Sequence, residues 1–213
     1  MSTPNVENYG TGAVKNLKLA PIRHASERLR HGSLSRDAYI KDGRDILTKH
    51  GAASFKVLDP KHYDSVLFDL RFTLAKRLAE RVAIFPLKPE RKDPCSFTHA
   101  HHSATRDLDI ICDWIKQEGN CNWGGGKAID IDVRNDGMAN WARLIAEHGE
   151  PDTAQQITPT GGLHYLIDED VGKCDLASGV EIPNYVVLAG SFVRENDKDI
   201  RATGFYQWAT PSR

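Results

Sequence analysis

Two acidic residues, Asp130 and Asp132, stand two positions apart in the stretch AIDIDVRNDG, residues 128–137. Apolar residues alternate with them, which is the pattern of a half-buried strand, so both carboxylates should leave the strand on one face. Like charges side by side repel each other, whereas hard divalent cations such as Mg²⁺ and Mn²⁺ bind carboxylate oxygens. The spacing is therefore typical either of a solvated strand face or of a metal site.

Two further stretches contain possible partners for this acidic pair. In TPTGGLHYLI, residues 158–167, two glycines precede His164 at the start of an apolar strand. Glycines let the backbone approach a ligand and present N–H groups to phosphate oxygens, but an ordinary hairpin gives the same pattern. Glu181 lies between Val180 and Ile182 and is either a third metal-binding carboxylate or an edge-strand residue that faces water.

Taken in order, these stretches resemble the N-terminal bifunctional primase/polymerase (prim-pol) domains of phage and plasmid replication proteins, in the archaeo-eukaryotic primase superfamily. That family has Asp-x-Asp or Asp-x-Glu after an apolar strand, then small-x-His, then a single acid after an apolar residue. The matching residues here are Asp130 and Asp132, Gly162-Leu163-His164, and Glu181.

The upstream pattern of the family also matches, so that the resemblance covers about residues 64–193. It consists of a strand that ends in proline, a lysine before another proline, an Ala-Thr-x-Asp helix start and a tryptophan. These features are VAIFPLKPERKDP, ATRD (104–107) and Trp114 in this chain. The sequence departs from the family after Glu181, where Pro183 and Asn184 stand in place of the usual arginine, so the basic partner of a triphosphate is not identified.

The resemblance implies a DNA primase/DNA polymerase that adds nucleotides to a primer 3′-hydroxyl by a two-metal mechanism, in phage or plasmid DNA replication. It implies that Asp130, Asp132 and Glu181 hold two Mg²⁺ or Mn²⁺ ions and, with His164, form the catalytic set. It also implies a nucleotide-binding set, which comprises Thr160, Gly161, Gly162, His164 and Ser191.

Charge is unevenly distributed along the chain, although the net charge is only −1. Residues 71–92 contain 7 Lys or Arg against 2 Asp or Glu, whereas residues 130–200 contain 5 against 14. A polyanion could use the basic part to approach an acidic metal site, although two solvated faces would look the same. We expect a single-stranded or primed DNA template to contact Lys88, Arg91 and Lys92, with a dNTP or NTP as substrate.

Two other activities remain open from the residues alone. Carboxylates with a histidine also suit a metal-dependent nuclease or phosphodiesterase, which would shorten DNA. A non-catalytic nucleic-acid-binding module would fit the missing arginine after Glu181.

Zinc and a membrane are not expected. Cys95, His99, His101 and His102 are residue types that bind zinc, but their spacing is not that of a zinc finger. No apolar run reaches membrane-spanning length, and the start MSTPNVENYG has no signal-peptide pattern, so we expect a cytoplasmic protein.

The mixed order of elements predicts the α+β class. By resemblance, an RRM-like catalytic sheet flanked by helices should join a smaller N-terminal α/β module. We expect a flexible or irregular segment over residues 1–33 and the primase–polymerase domain over 34–213. The family also implies that this is the N-terminal part of a longer replication protein, with a helicase domain as a C-terminal partner.

Local patterns predict the individual elements. Helices are expected over 35–50 with Ser35 as cap, between Pro60 and Val82, from a Thr105 cap to Glu118 with Leu108 inward, and over 137–148. Strands are expected over 54–59, 82–87, 128–133, 163–168 and 185–193, with a glycine-rich turn over 119–127.

Overall fold

A computed structural model describes residues 10–167, 171–196 and 202–209, and these residues form five α-helices and eleven strands. The helices are α1 (Gly10–Gly32), α2 (Arg36–Lys49), α3 (Tyr63–Ala79), α4 (Leu108–Gln117) and α5 (Gly137–His148). The strands are β1 (Ile84–Leu87), β2 (Asn122–Gly125), β3 (Lys127–Ile131), β4 (Gln155–Ile157), β5 (Leu163–Ile167), β6 (Cys174–Ala177), β7 (Val180–Ile182), β8 (Val186–Val187), β9 (Phe192–Val193), β10 (Gly204–Phe205) and β11 (Gln207–Trp208).

The strands form three antiparallel sheets. The largest has six strands in the order β11-β4-β5-β3-β7-β6, so that β3 is a central strand with neighbours on both sides. A second sheet has the order β1-β2-β8, and β9 pairs with β10 in the third. The predicted α+β class is confirmed.

Two cores cover opposite faces of the six-stranded sheet. Trp141 of α5 packs with Ile131, Tyr165 and Val180 on one face. On the other face Ala128 and Leu166 join the main core, which contains the buried sides of α1 and α3. Because side chains alternate along a strand, the residue two positions after Ala128 in β3, Asp130, also belongs to this second face.

The prediction of an irregular segment over residues 1–33 is wrong for residues 10–32, which form α1; residues 1–9 lie outside the described part of the chain. Leu19, Ile22 and Leu29 of α1 are buried in the main core. Tertiary burial of these residues stabilises a helix that contains Pro21. The division of the chain into domains stays a prediction.

Most of the predicted helices are confirmed. Ser35 caps α2, and its hydroxyl accepts a hydrogen bond from the Ala38 N–H. The predicted Thr105 cap is wrong, because the Asp107 carboxylate accepts the first N–H groups of α4 and the helix starts at Leu108. Leu108 itself is exposed rather than inward.

Three strand or turn predictions are wrong. Residues 54–59 form turns instead of a strand, with Val57 exposed and its N–H donating to the Ser54 carbonyl. The glycine-rich stretch contains β2, which pairs with β1, and the Phe85 ring of β1 packs where a side chain on Gly124 would stand. The expected strand over 185–193 is divided into β8 and β9 by a bend at Gly190, whose φ is +83°. Residue 168, at the end of another expected strand, lies outside the described residues.

None of the helices in the described ranges has both the length and the apolar character needed to cross a bilayer.

Candidate active site

A line of polar residues crosses five strands of the six-stranded sheet. Asp130 of β3 lies directly opposite His164 of β5 on one side and Glu181 of β7 on the other. Gln156 of β4 lies opposite His164, and Asp175 of β6 lies opposite Glu181. Directly opposed residues share a sheet face, so these five side chains form one polar row.

Asp130 stands at the centre of the polar row and contacts His164. The Nε2 atom of His164 lies 3.3 Å from Oδ1 of Asp130. The side chain of His164 is only 5% exposed, whereas that of Asp130 is 31% exposed. The histidine is therefore a fixed, enclosed group, and the carboxylate is open to a ligand.

Tyr206 forms a wall behind these two residues. Its ring lies 5.7 Å from the His164 ring, centroid to centroid, and its residue is 3% exposed. Burial raises the pKa of the Tyr206 phenol, and the Asp130 carboxylate raises this pKa further. The phenol therefore keeps its proton at neutral pH and remains a possible hydrogen-bond donor.

Asp132 directly follows β3 and is positioned by the β6–β7 hairpin. Its N–H donates to the Gly179 carbonyl at 2.9 Å. A Cβ on Gly137 would lie 2.0 Å from the Asp132 carbonyl oxygen and 2.4 Å from that of Gly179, so only glycine allows this close backbone approach. Asn135 and Asp136 complete the turn at φ values of +56° and +58°, which these residue types tolerate.

The Asp132 carboxylate forms a bidentate ion pair with Arg134. The guanidinium Nε donates to Oδ1 at 2.9 Å, and a terminal nitrogen donates to Oδ2 at 2.5 Å. Partial burial alone would raise the pKa of Asp132, but the hydrogen bonds from the Arg134 side chain and backbone outweigh burial and lower this pKa. The Lys92 ammonium lowers it further, which places Lys92 within electrostatic reach of Asp132.

Four carboxylates line one open cleft at the polar row. The cleft has a volume of 380 Å³ and is lined by Asp130, Asp132, Asp175 and Glu181, together with the backbone of the β6–β7 hairpin. Carboxylate oxygens in this number are the donor type that Mg²⁺ and Mn²⁺ prefer.

The carboxylates are not drawn together around a single point. In the described parts of the chain, no three His, Cys, Asp or Glu side chains lie close enough together to hold a metal ion. The bidentate pair with Arg134 gives a physical reason, because it occupies both oxygens of Asp132.

The predicted glycine turn, Thr160-Gly161-Gly162, connects β4 to β5 beside the end of β3. The expectation that its N–H groups are free is wrong, because Gly161 N–H donates to the Thr158 carbonyl and Gly162 N–H donates to Thr158 Oγ1. A Cβ on Gly162 would lie 2.5 Å from the Ile131 carbonyl oxygen. Close packing against β3 therefore accounts for this glycine.

Ser191, which was predicted to bind nucleotide, is fully buried against β2. Its hydroxyl accepts a hydrogen bond from the Trp123 N–H at 3.0 Å and also lies 3.4 Å from the Trp123 carbonyl. A nucleotide contact of Ser191 would first have to break these hydrogen bonds.

The predicted DNA-binding residues Lys88, Arg91 and Lys92 lie on the loop that follows β1. Glu90, at the tip of the loop, forms a bidentate ion pair with Arg194 at 2.7 and 2.9 Å. The carbonyl of Arg91 accepts a hydrogen bond from Asn122 at 3.0 Å, and that of Lys92 accepts one from the Tyr185 hydroxyl at 3.3 Å. These contacts hold the basic loop in place, and Lys92 of this loop lies within electrostatic reach of Asp132.

Two of the possible zinc ligands, Cys95 and His101, are packed against other groups of the protein. Cys95 is buried, and burial raises the pKa of its thiol to about 11. His101 stacks on Tyr185, with ring centroids 6.2 Å apart, and lies 4.1 Å from the His102 ring. Cys95 and His101 therefore have packing roles.

Sequence reasoning missed four residues of the site: Gln156, Asp175, Tyr206 and Arg134. The first three come to the site through strand pairing or packing across long sequence distances, which no local pattern indicates. Arg134, two positions after Asp132, had a local signal in its opposite charge.

The comparison with known families agrees with this geometry. The family model described as bifunctional DNA primase/polymerase, N-terminal, matches residues 75–213. No curated protein matches the chain. The matched region includes the whole polar row, the acidic cleft and the basic loop, and it covers more than half of the sequence. The chain therefore belongs to the bifunctional DNA primase/polymerase N-terminal domain family.

Proposed function

We propose that this protein is a template-directed nucleotidyltransferase that extends a primer 3′-hydroxyl with nucleotides, using divalent cations bound at the acidic cleft. Family membership supports primase/polymerase activity in DNA replication. The observation that carries the proposal is the polar row, in which the partly exposed carboxylate of Asp130 lies between His164 and Glu181.

The cleft residues suit two Mg²⁺ or Mn²⁺ ions in donor chemistry. Asp130 and Glu181 lie directly opposite each other on β3 and β7, and Asp132, two residues after Asp130, lines the same cleft. Asp132 would become a third ligand when a cation replaced Arg134 at its carboxylate. Bound in this way, the ions would activate the primer hydroxyl and neutralise the departing pyrophosphate.

The surrounding residues would bind and orient the substrates. His164 would donate a hydrogen bond to the triphosphate, and Arg134, once released from Asp132, would supply positive charge at the same place. Lys88, Arg91 and Lys92 would contact template phosphates, because backbone contacts of this kind do not depend on sequence. The reaction then depends mainly on positioning and charge neutralisation, as phosphoryl transfer generally does.

We further propose that the six-stranded sheet with α5 is the RRM-like catalytic unit, and that α1–α4 with the β1-β2-β8 sheet form the smaller module. This division is supported by the separate cores on the two sheet faces. A replication protein of a phage or plasmid, active in the cytoplasm beside a helicase domain, fits this activity.

The test is primer extension on a primed single-stranded template with all four dNTPs and either Mg²⁺ or Mn²⁺. We expect Asp130→Asn to reduce the extension rate by on the order of a thousandfold, because the amide is a poor cation ligand of unchanged size. Asp152→Asn is the matched control, since Asp152 is exposed and does not line the cleft, and it should extend normally.

Each other outcome contradicts part of the proposal. Normal extension by Asp130→Asn would remove Asp130 from the catalytic set. Shortened DNA in the wild-type reaction would indicate a nuclease. DNA that is bound but neither extended nor shortened would indicate a non-catalytic binding module.

A further inference from the structure

Gln156 is a buried amide that contacts the inner nitrogen of His164. It lies opposite His164 in the β4–β5 pairing, and the residue is 0% exposed. Its Nε2 atom lies 2.6 Å from Nδ1 of His164 and 2.6 Å from the Val187 carbonyl oxygen. Its Oε1 atom accepts a hydrogen bond from the Ala189 N–H at 2.8 Å.

Two backbone groups determine which way this amide points. The Ala189 N–H can only donate, so the atom beside it must be the amide oxygen. The Val187 carbonyl can only accept, so the atom beside it must be the amide nitrogen. The opposite orientation would place two donors together at Ala189 and two acceptors together at Val187.

The amide orientation in turn determines where His164 carries its proton. One N–H of Gln156 is used by Val187, and the second points at Nδ1 of the imidazole. Nδ1 must therefore present its lone pair, and a neutral imidazole then carries its hydrogen on Nε2. That nitrogen faces Asp130, whose carboxylate accepts hydrogen bonds.

We propose that Gln156 is a positioning residue that fixes His164 as the Nε2–H tautomer, so that His164 acts at the cleft as a hydrogen-bond donor and not as a base. Nε2 then has no lone pair with which to remove a proton from a hydroxyl or a water. In the free protein its N–H lies beside Asp130, with Nε2 3.3 Å from Oδ1, and it can donate to an anionic phosphate oxygen when a nucleotide is bound. This use of the donor rests on the proposed function, whereas the tautomer itself does not.

The tautomer is measurable in the wild-type protein without any activity. In protein labelled with ¹⁵N at histidine, two-dimensional spectra distinguish a protonated from an unprotonated ring nitrogen, and His164→Asn identifies the signals of this ring. We expect His164 to show a protonated Nε2 and an unprotonated Nδ1. A protonated Nδ1 on a neutral ring would overturn the proposal.

A variant then tests whether Gln156 is responsible. Gln156→Met keeps the size of the side chain but removes both amide N–H groups. We expect mixed tautomers in its spectrum and a KM for dNTP about tenfold higher, with a smaller change in kcat, because a charge-assisted hydrogen bond to the substrate is weakened. Gln155→Met, on the neighbouring position whose side chain contacts Glu150, should change neither.

The two proposals fail in different ways. A wild-type protein that shows the Nε2–H tautomer but extends no primer contradicts the proposed function and leaves the role of Gln156 intact. A protein that extends primers but keeps the Nε2–H tautomer in Gln156→Met contradicts the role of Gln156 alone.

Discussion

Arg134 forms hydrogen bonds with the carboxylate of Asp132, which a cation bound at the cleft would also need as a ligand. Both oxygens of Asp132 accept hydrogen bonds from its guanidinium, at 2.9 and 2.5 Å. The two side chains are 49% and 29% exposed, so solvent weakens the pair, which should contribute only about 0–1 kcal/mol. A pair this weak can hold the carboxylate in place and still give way to a divalent ion.

Removal of Arg134 should strengthen cation binding by the free protein. We expect Arg134→Ala to bind Mn²⁺ about two- to fivefold more tightly without nucleotide, which corresponds to the loss of an exposed pair. Titration followed by electron paramagnetic resonance measures this affinity. Arg134→Lys keeps the charge without the bidentate geometry, so its affinity should fall between the two.

Arg143→Ala is the matched control for charge, because Arg143 is exposed on α5 and contacts Asn140. Its Mn²⁺ affinity should equal that of the wild type. If Arg134→Ala bound Mn²⁺ no more tightly than Arg143→Ala, competition for Asp132 would be wrong.

At the scale of elements, the β4–β5 turn determines how close His164 comes to β3. Gly162 packs against the last residue of β3, with room for hydrogen but not for a methyl group beside the Ile131 carbonyl oxygen. The turn is closed internally by Thr158, which accepts the N–H groups of both Gly161 and Gly162. The turn is therefore a spacer between the two strands of the site.

Gly162→Ala should separate these strands. Its Cβ would stand 2.5 Å from the Ile131 carbonyl oxygen, so we expect the free energy of unfolding to fall by about 1–3 kcal/mol and primer extension to weaken. Chemical denaturation measures the first effect. Gly43→Ala, in α2 with no heavy atom within 4 Å of the added carbon, should instead stabilise the protein by about 0.5–1 kcal/mol. Equal effects of the two substitutions would contradict the spacer role.

Strand identity was readable from the sequence here, but strand pairing was not. Alternation over residues 128–133 predicted β3, and the apolar run over 163–168 predicted β5, because both patterns are local. The placement of Gln156 beside His164 depends on the register between β4 and β5, which no local pattern indicates. Likewise, the N–H groups of the glycine turn are hydrogen-bonded to Thr158, which lies outside the predicted nucleotide-binding set. In α1, Leu19, Ile22 and Leu29 gave a weak helical signal, which Pro21 and the surrounding polar residues obscured.

Across the whole molecule, Arg28 connects α1 to the elements behind the polar row. Its buried guanidinium donates to the carbonyls of Gly190 at 2.9 Å and Cys121 at 2.6 Å, and burial lowers its pKa to about 10, so it stays charged at neutral pH. Gly190 N–H in turn donates to the Tyr206 carbonyl. A helix outside the family match therefore supports the wall of the site.

Loss of this arginine should destabilise the whole protein. Arg28→Met keeps much of the apolar stem but leaves buried carbonyls without a donor, so we expect the free energy of unfolding to fall by about 2–4 kcal/mol. Arg30→Met, on the exposed side of the same helix beside Glu27, should change it by less than about 0.5 kcal/mol. Urea denaturation compares the two, and an unchanged midpoint for Arg28→Met would show that α1 is held by apolar contacts alone.

Under the proposed function, the charge of the acidic cleft should determine the order in which its ligands bind. Four carboxylates face the same space, and the phosphates of a nucleotide or a DNA strand carry the same sign of charge. A bare polyanion is therefore repelled at short range, although Lys92 at the edge attracts it from further away. If the cleft binds nucleotides as proposed, a divalent cation carried by the nucleotide would reduce this repulsion as the nucleotide enters, and a strand that follows would meet a cleft of lower negative charge. The excess of acid in the cleft should then select cation-complexed triphosphates over free ones at the stage of association, before any chemistry begins.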